Sequence, residues 1–305
     1  RIPFEVDSTN STTGNGQFLS TDEGIDCGSY TIDPPPHDYN YFLSQLHSVN
    51  QYFENVSYGK FGIDLAQSSI YPSSLNGSYQ LSNTMDFYNP YDDPLGQEEK
   101  LTKLFKDAIE QSYGEDAIEF SKYDLIVIFH AGIGQDFSLP FLDPTPEDIP
   151  STYIDEDMIL EHLGESHINV GNHMIQKGII LPETQNHLLY DISETMFSDA
   201  ENPCEYQYGI TGTFSLMIGF AIGLPPLWNI QTGESGVGVF GLMDQGSNNG
   251  RGIIPAPPTA WSRIYAGWEN YVIGQLGTEY HLPKRSENSI IKVPIRENEY
   301  YLIES

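Results

Sequence analysis

The apolar run at residues 214–224 constrains the fold most, because a segment without a charged side chain has to be buried. It reads FSLMIGFAIGL. A membrane-spanning helix needs about 18 or more such residues, so this shorter run predicts a buried helix instead. The chain has 305 residues, 39% of them apolar, which is enough to build a core around that helix.

The remaining periodicity predicts an α+β domain. Apolar residues recur with helical spacing over residues 38–55 and again over 98–113, which predicts two amphipathic helices, the second ended by Gly114. The unbroken run YDLIVIFHAG at 123–132 is typical of a central strand buried on both faces. Alternating residues from Lys60 onward predict a further strand.

The charge balance excludes two classes of partner. The chain carries 13 Lys and Arg against 43 Asp and Glu, a formal net charge of −30. That field repels nucleic acid and anionic membrane surfaces, so we expect no nucleic-acid binding and no membrane insertion. Such acidity is typical of an extracellular protein. Its carboxylates are either a solvated surface or hard ligands for Ca²⁺, and both interpretations stay open.

The acidic segment at residues 143–157, DPTPEDIPSTYIDED, is the best candidate for a calcium site. Prolines among the acids predict an ordered but irregular loop of the kind that can wrap the cation. The segment lacks the EF-hand spacing, and a solvated acidic loop is the alternative. The candidate ligands are Asp143, Glu147, Asp148, Asp155 and Asp157.

The two cysteines, Cys27 and Cys204, do not have the spacing of a metal site. A distant pair in a secreted protein predicts a disulfide, and two free buried thiols are the alternative. We therefore expect an extracellular or cell-surface location.

The composition divides the chain into three parts. Residues 1–36 are rich in Ser, Thr, Asn and Gly and end on three prolines, which predicts an extended N-terminal arm. Residues 37–285 form the main body. Residues 286–305 contain two strand-like halves, within 289–304, on either side of 296–298.

Four blocks of sequence carry a family resemblance. The first is QYFENVSYGKF at 51–61, the second FHAGIGQD at 129–136 and the third GLPPLWN at 223–229. The fourth joins GVGVFGLMDQGS at 236–247 to PPTAWSRIYAGW at 257–268. Together, and in this order, they resemble the immune inhibitor A-type metallopeptidases, zinc peptidases of the metzincin-like zincin class.

The resemblance implies a zincin-like fold over residues 37–285, with a mixed sheet and a former active-site helix within 213–229. It places Met243 in the Met-turn, which lies beneath the metal site in that class. It also makes residues 286–305 the start of a β-rich C-terminal region. His130, in the second block, would then make an ordinary structural hydrogen bond.

The sequence departs from the family pattern at the positions that bind zinc and activate water. A zincin needs H-E-x-x-H on a helix, because two His four residues apart can grip one Zn²⁺ while the Glu activates its bound water. Aligned through GLPPLWN, the two His positions hold Leu216 and Phe220, the Glu position holds Met217, and a third ligand position holds Pro226. None of these side chains binds zinc or carries a proton. The sequence therefore predicts no zinc and no peptidase activity.

A second interpretation keeps the chain an enzyme. His162, His167 and His173 cluster in sequence and resemble a loosened H-x-x-E-H motif. The first two are five residues apart, however, which turns helical side chains about 140° away from each other. The alternative is therefore an active metallohydrolase with a displaced metal site at these three histidines.

The favoured interpretation is a secreted, catalytically inactive metallopeptidase homologue. We expect it to be a structural, assembly or binding component of the cell surface or extracellular matrix. Protein partners or self-association follow from that role, with Ca²⁺ as the candidate cofactor.

Overall fold

The computed structural model describes residues 1–21, 27–28, 30–93, 96–137, 143–190, 202–283, 287 and 289–305. Helices and small mixed sheets alternate along the chain, which confirms the α+β class. The helices are α1 (Tyr39–Val56), α2 (Gln97–Asp116), α3 (Glu156–Leu163), α4 (Thr211–Ala221) and α5 (Ala260–Tyr265). The strands are β1 (Ile126–Ile133), β2 (Thr152–Ile154), β3 (Ile168–Val170), β4 (His173–Ile175), β5 (Gly178–Thr184), β6 (Tyr271–Ile273), β7 (Ile290–Arg296) and β8 (Glu299–Ile303).

Helix α1 confirms the first helix predicted from periodicity. The carboxylate of Asp38 caps it by accepting hydrogen bonds from the N–H groups of Asn40 (2.8 Å) and Tyr41 (3.1 Å). Its apolar stripe faces inward, with Phe42 and Phe53 fully buried. The helix therefore contributes one wall of the core.

Helix α2 is also confirmed, but its predicted end at Gly114 is wrong. The helix continues to Asp116, and Ala117 takes the left-handed conformation (φ 46°) that ends it. A glycine inside a helix costs only about 1 kcal/mol relative to alanine, and the packed stripe that includes Leu104 and Ile109 outweighs this cost.

The main sheet is mixed, with the strand order β1-β5-β2. Strand β5 pairs in parallel with β1 and antiparallel with β2, so β5 is the central strand and all its residues are buried. The prediction that 123–132 is the central strand is therefore wrong, since β1 lies at one end of the order. Strand β5 is hard to recognise from the sequence because it ends in two polar residues, Glu183 and Thr184.

The two faces of this sheet carry separate apolar cores. Alternate residues of β1 and β5 point to opposite faces. One face packs against α1 and α4, where Val49, Phe53 and Phe214 are buried. The other face packs against α2 and α3, where Leu104 and Phe105 are buried.

The strand predicted from Lys60 onward does not form. Side chains, rather than a neighbouring strand, satisfy the amides of this segment. The N–H of Phe61 donates to Ser57 Oγ (2.9 Å) and the N–H of Ile63 donates to Asn50 Oδ1 (2.6 Å). The segment therefore runs across the surface of the domain without joining the sheet.

The described part of the N-terminal arm packs onto the body but is only partly extended, because turns over residues 10–17 fold it back and the N–H of Phe4 donates to Gly16 O (2.8 Å). Ile2 and Phe4 are buried, and Ile2 forms a parallel bridge with His130 at the end of β1. Cys27 is bonded to Cys204, which confirms the predicted disulfide and ties the arm to the segment before α4.

The C-terminal strands are confirmed as β7 and β8, which pair antiparallel. They belong to a second sheet of order β6-β7-β8, in which β6 and β7 are parallel. The guanidinium of Arg263 joins this sheet to α5 by ion pairs with Glu269 and Glu304. Strand pairing thus crosses the boundary predicted at residue 286, and the domain boundaries themselves stay predictions.

Among the described residues, no helix combines the length and apolar character that crossing a membrane requires.

Two helical glycines provide a matched test of this packing. A Cβ on Gly212 would lie 1.9 Å from the backbone oxygen of Ser247, whereas a Cβ on Gly114 would meet no atom within 4 Å. We expect Gly212→Ala to lower the free energy of unfolding by roughly 1–3 kcal/mol or more through overpacking. Gly114→Ala should raise it by about 0.5–1 kcal/mol because alanine favours the helix. Urea unfolding measures both, and equal effects of the two substitutions would contradict this packing.

Candidate functional site

Helix α4 is the element that the family resemblance identifies as the former active-site helix. It ends in a Schellman motif: the N–H of Leu224 donates to Gly219 O (2.9 Å) and that of Gly223 to Phe220 O (2.9 Å). Gly223 takes the positive φ of 88° that this motif requires. The GL of GLPPLWN therefore ends the helix, and the prolines behind it prevent its continuation.

The positions aligned with the zinc ligands lie in an apolar environment. Leu216 and Phe220, four residues apart, are half-buried, and Met217 is 7% exposed. All three pack in the apolar core between α1, α4 and the sheet. Phe220 also contacts Trp228 edge-on, with ring centroids 5.7 Å apart. Pro226 is half-buried in the segment that follows the helix.

Met243 lies directly against this helix. It is fully buried, and a Cβ on Gly219 would come within 2.5 Å of its Sδ. The N–H of Leu227 donates to Met243 O (2.8 Å), which joins the segment after the helix to the turn. We refer to Leu216, Met217, Gly219, Phe220 and Met243 as the α4–turn cluster. The side chains of this cluster are apolar and pack as part of the core.

Asp244, which sequence reasoning missed, fixes the turn that carries Met243. One oxygen of its carboxylate accepts hydrogen bonds from three consecutive backbone N–H groups, those of Gly236 (2.9 Å), Val237 (2.7 Å) and Gly238 (2.8 Å). Although partial burial opposes ionisation, these bonds hold the pKa of Asp244 below its ordinary value. The only signal in the sequence is an aspartate eight residues after a Gly-Val-Gly run begins.

The three histidines of the alternative interpretation lie on three different elements. His162 is in the last turn of α3, 3.5 Å from a carboxylate oxygen of Glu98. His167 precedes β3, and His173 begins β4, where its Nδ1 accepts from the N–H of Ser121 (3.3 Å). Within the described ranges, no three His, Cys, Asp or Glu side chains form a group that could hold a metal ion.

His130 makes the structural hydrogen bond expected of it. It is fully buried, and its Nδ1 lies 2.8 Å from the backbone oxygen of Ala131. Burial lowers the pKa of His130 to about 4, so the ring is neutral at physiological pH.

Three of the calcium candidates are engaged with neighbouring donors. Asp143 accepts from Gln135 Nε2 (2.6 Å) and from the N–H of Thr145 (2.9 Å). Glu147 accepts from the hydroxyl of Ser11 and the N–H of Tyr91 (2.9 Å). Asp148 is 1% exposed and accepts from both the N–H (2.7 Å) and the hydroxyl of Thr13. Burial raises the pKa of Asp148 to about 7. Glu147 and Asp148 thus hold the N-terminal arm in place through Ser11 and Thr13.

The other two calcium candidates belong to α3. Asp155 is its N-cap and accepts from the N–H of Met158 (2.9 Å), and Asp157 lies in its first turn. Carboxylates at a helix N-terminus are stabilised by the helix dipole. The acidic segment is therefore divided between arm contacts and helix capping.

The most polar buried constellation, also missed by sequence reasoning, surrounds Glu183 at the end of β5. Its carboxylate accepts hydrogen bonds from the N–H groups of Gly132 (2.7 Å) and Leu19 (2.9 Å) and from the hydroxyl of Tyr190 (2.6 Å). His37 Nδ1 lies 2.5 Å from the same carboxylate. Both members of the His37–Glu183 pair have fully buried side chains.

Asp33 extends this network toward α4. Its carboxylate accepts from Gln45 Nε2 (2.9 Å), the hydroxyl of Thr184 (3.0 Å) and the N–H of Ile210 (2.9 Å). Burial raises the pKa of Asp33 above its ordinary value. The backbone oxygen of Asp33 also lies 2.9 Å from His37 Nε2. For Glu183, the signal that the sequence offered is an acidic residue at the end of an apolar run, GIILPET at residues 178–184.

The protonation of His37 follows from this geometry. Burial lowers its pKa, but the hydrogen bond and negative charge of Glu183 outweigh burial and hold the pKa above the ordinary value. Charged His37 compensates the buried carboxylate. The network joins the arm, the main sheet and α1, and its polar groups form hydrogen bonds with one another.

The His37–Glu183 pair should make stability depend on pH. A raised pKa means that the contribution of His37 is complete below the unfolded value of about 6.5 and is lost as pH rises through the folded value. We expect His37→Gln to cost roughly 3–5 kcal/mol at pH 5.5, because it leaves a buried carboxylate without its cation, and progressively less toward pH 9.

The difference in free energy of unfolding between the two proteins across this range measures the effect. His47→Gln is the matched control, since His47 lies on the exposed face of α1. It should change stability by less than about 0.5 kcal/mol at each pH. A pH-independent cost of His37→Gln would argue against the charged pair.

No protein-family model matches the chain, and no curated protein matches it either. The family assignment accordingly stays a proposal that depends on the residues described above.

Proposed function

We propose that the chain is a secreted, catalytically inactive relative of the immune inhibitor A-type metallopeptidases. It acts as a structural, assembly or binding component at the cell surface or in the extracellular matrix. The disulfide between Cys27 and Cys204 supports an oxidising location.

The observation that carries this proposal is the packing of Met243 against α4. The resemblance requires a methionine turn beneath the helix, and Met243 Sδ lies where a Cβ on Gly219 would contact it. The same α4–turn cluster presents Leu216, Met217 and Phe220 in place of two ligands and a base. In this proposal, the helix and the turn keep the packing of a zincin, while apolar side chains replace its zinc ligands and its general base.

Apolar replacement explains how such a domain remains stable. Exchanging buried polar and charged groups for apolar groups of similar volume is often neutral or stabilising. Without a ligand set or general base on α4, the helix offers no means of activating a water molecule. The domain therefore serves as a scaffold.

Exposed apolar side chains after α4 support a role in protein binding. Ile230, Phe240 and Ile254 are 74%, 82% and 73% exposed, and they lie on the segment that also carries Met243. Large exposed apolar groups are typical of interaction surfaces when they are grouped. The net charge of −30 disfavours nucleic acid as the partner.

Metal content tests the proposal directly. We expect the protein, purified with zinc and calcium and then exhaustively desalted, to retain less than about 0.1 zinc per chain, since α4 offers no ligands. It should also show no chelator-sensitive cleavage of casein. One tightly held zinc per chain together with such cleavage would refute the proposal, and the region of His162, His167 and His173 would be examined next.

Restoring the zinc motif tests the register of the resemblance. The variant Leu216→His, Met217→Glu, Phe220→His and Pro226→His should gain about one zinc per chain, because His residues at i and i+4 share a helix face. The control variant carries Gln at all four positions and bears a similar cost of buried polarity, roughly 1–3 kcal/mol per group. It should gain no zinc. If both folded variants fail to bind zinc, the alignment of α4 with the peptidase helix is wrong.

A further inference from the structure

A threonine and a glutamine lie side by side where α4 begins. The hydroxyl of Thr211, the first residue of α4, donates to the amide oxygen Oε1 of Gln45 on α1 (2.9 Å). The two residues are 166 positions apart in the sequence, and both are buried. A hydroxyl against a buried amide is an ordinary hydrogen bond unless the surrounding groups can activate both partners.

The carboxyl group of Asp33 lies between the glutamine and the start of α4. Its Oδ1 is 2.9 Å from Gln45 Nε2, the nitrogen that leaves when a glutamine amide is cleaved. Its Oδ2 is 2.9 Å from the backbone nitrogen of Ile210, directly before Thr211. Burial raises the pKa of Asp33, which favours the protonated acid. Asp33 is therefore placed to exchange protons with both reacting groups.

The His37–Glu183 pair holds Asp33 in this position. His37 Nε2 lies 2.9 Å from the backbone oxygen of Asp33, and His37 Nδ1 lies against the carboxylate of Glu183. The hydroxyl of Thr184, the next residue along β5, donates to Asp33 Oδ2 (3.0 Å). The side chain of Asp33 therefore cannot turn away from Gln45 without breaking a buried hydrogen-bond network.

The N-terminal end of α4 lies next to the amide oxygen. Attack on the amide carbon places negative charge on Gln45 Oε1, and a helix N-terminus carries partial positive charge that stabilises it. Because α4 begins at Thr211, the residue that carries the hydroxyl also brings this charge to Oε1. Water is largely excluded, since Asp33, Gln45 and Thr211 are 9%, 8% and 7% exposed.

We propose that Thr211 and Gln45 form an intramolecular ester, which joins α4 covalently to α1. Thr211 Oγ1 attacks Gln45 Cδ and forms the new C–O bond, while the hydroxyl proton passes to the carboxyl group of Asp33. The Cδ–Nε2 bond then breaks, and a proton from Asp33 goes to the nitrogen, which leaves as ammonia. Asp33 ends in the protonation state in which it began, and the reaction requires neither an oxidant nor a second substrate.

The burial of the site also keeps the ester once it has formed. Hydrolysis needs a water molecule at the ester carbon, whereas ammonia is lost to solvent and becomes protonated there. Together with the disulfide between Cys27 and Cys204, the ester fastens the same two parts of the chain twice. The inference is independent of the proposed function, because none of the residues aligned with a zinc ligand or a general base takes part.

Peptide mapping after reduction tests the ester. Trypsin cleaves after Lys and Arg, so Gln45 falls in the peptide 2–60 and Thr211 in the peptide 178–251. After reduction and alkylation of the disulfide and a brief digestion at neutral pH, we expect the two peptides to remain joined. Their mass should be about 17 Da below the sum of the alkylated peptides, which is the mass of the lost ammonia.

Two results of this mapping would overturn the proposal. Two separate peptides of full mass would show that the amide of Gln45 is intact. Loss of ammonia within one separate peptide would show that the reaction occurs at another residue and does not join α1 to α4. Both results come from the unaltered protein, so they do not depend on whether a variant folds.

Three variants assign the roles of the residues. Thr211→Val removes the nucleophile and should restore two separate peptides. Thr213→Val is the matched control, because Thr213 lies in the same helix and is 6% exposed, and it should keep the cross-link. Asp33→Asn should lower the cross-linked fraction at least about tenfold, because it removes the acid. Thermal unfolding confirms that each variant folds. A cross-link that persists in Thr211→Val would overturn the proposal, and complete cross-linking of Asp33→Asn would overturn the role of Asp33.

Discussion

The carboxylate of Glu183 is the point at which parts of the chain that are distant in sequence meet. It ends the central strand of the main sheet and accepts hydrogen bonds from the arm at Leu19, from Gly132 and from Tyr190, while pairing with His37. A buried carboxylate left without these partners would be strongly unfavourable. The arm, the start of α1 and the end of β1 must therefore converge on it. This requirement helps to position the arm and α1 relative to the main sheet.

Close packing through glycine joins helix α4 to the segment that carries Met243. Two of its glycines, Gly212 and Gly219, allow the helix to approach the loop that carries Ser247 and Met243. These close approaches are made by the two glycines and not by the side chains of Leu216 and Phe220. Asp244 anchors the opposing turn through backbone donors, without any demand on the identity of the helix side chains.

Sequence reasoning succeeded for a periodic apolar stripe and for the pair of cysteines, and it failed where a polar group is satisfied by partners distant in the sequence. The stripe from Phe42 to Phe53 defines α1, and the Cys27–Cys204 pairing was predicted correctly. Strand β5 was missed because Glu183 resembles a loop residue until its partners are known. Asp148 and Asp155 accept hydrogen bonds from Thr13 and from the N-terminus of α3, partners that the sequence did not reveal, and calcium binding stays a prediction. Met243, which the resemblance placed in a turn beneath this helix, packs against Gly219 of α4, and its identity as a Met-turn residue stays a proposal.

The disulfide has a mechanical consequence. Cys27 and Cys204 lie 177 residues apart, and α1 to α3 together with β1 to β5 all fall between them. A pulling force transmitted through the backbone passes across the sulfur bridge, so the chain between the two cysteines, which includes the main sheet, cannot be drawn out while the bridge is intact. Only the residues before Cys27 and those after Cys204 can be extended. The covalent loop thus sets an upper limit on how far the chain can be stretched.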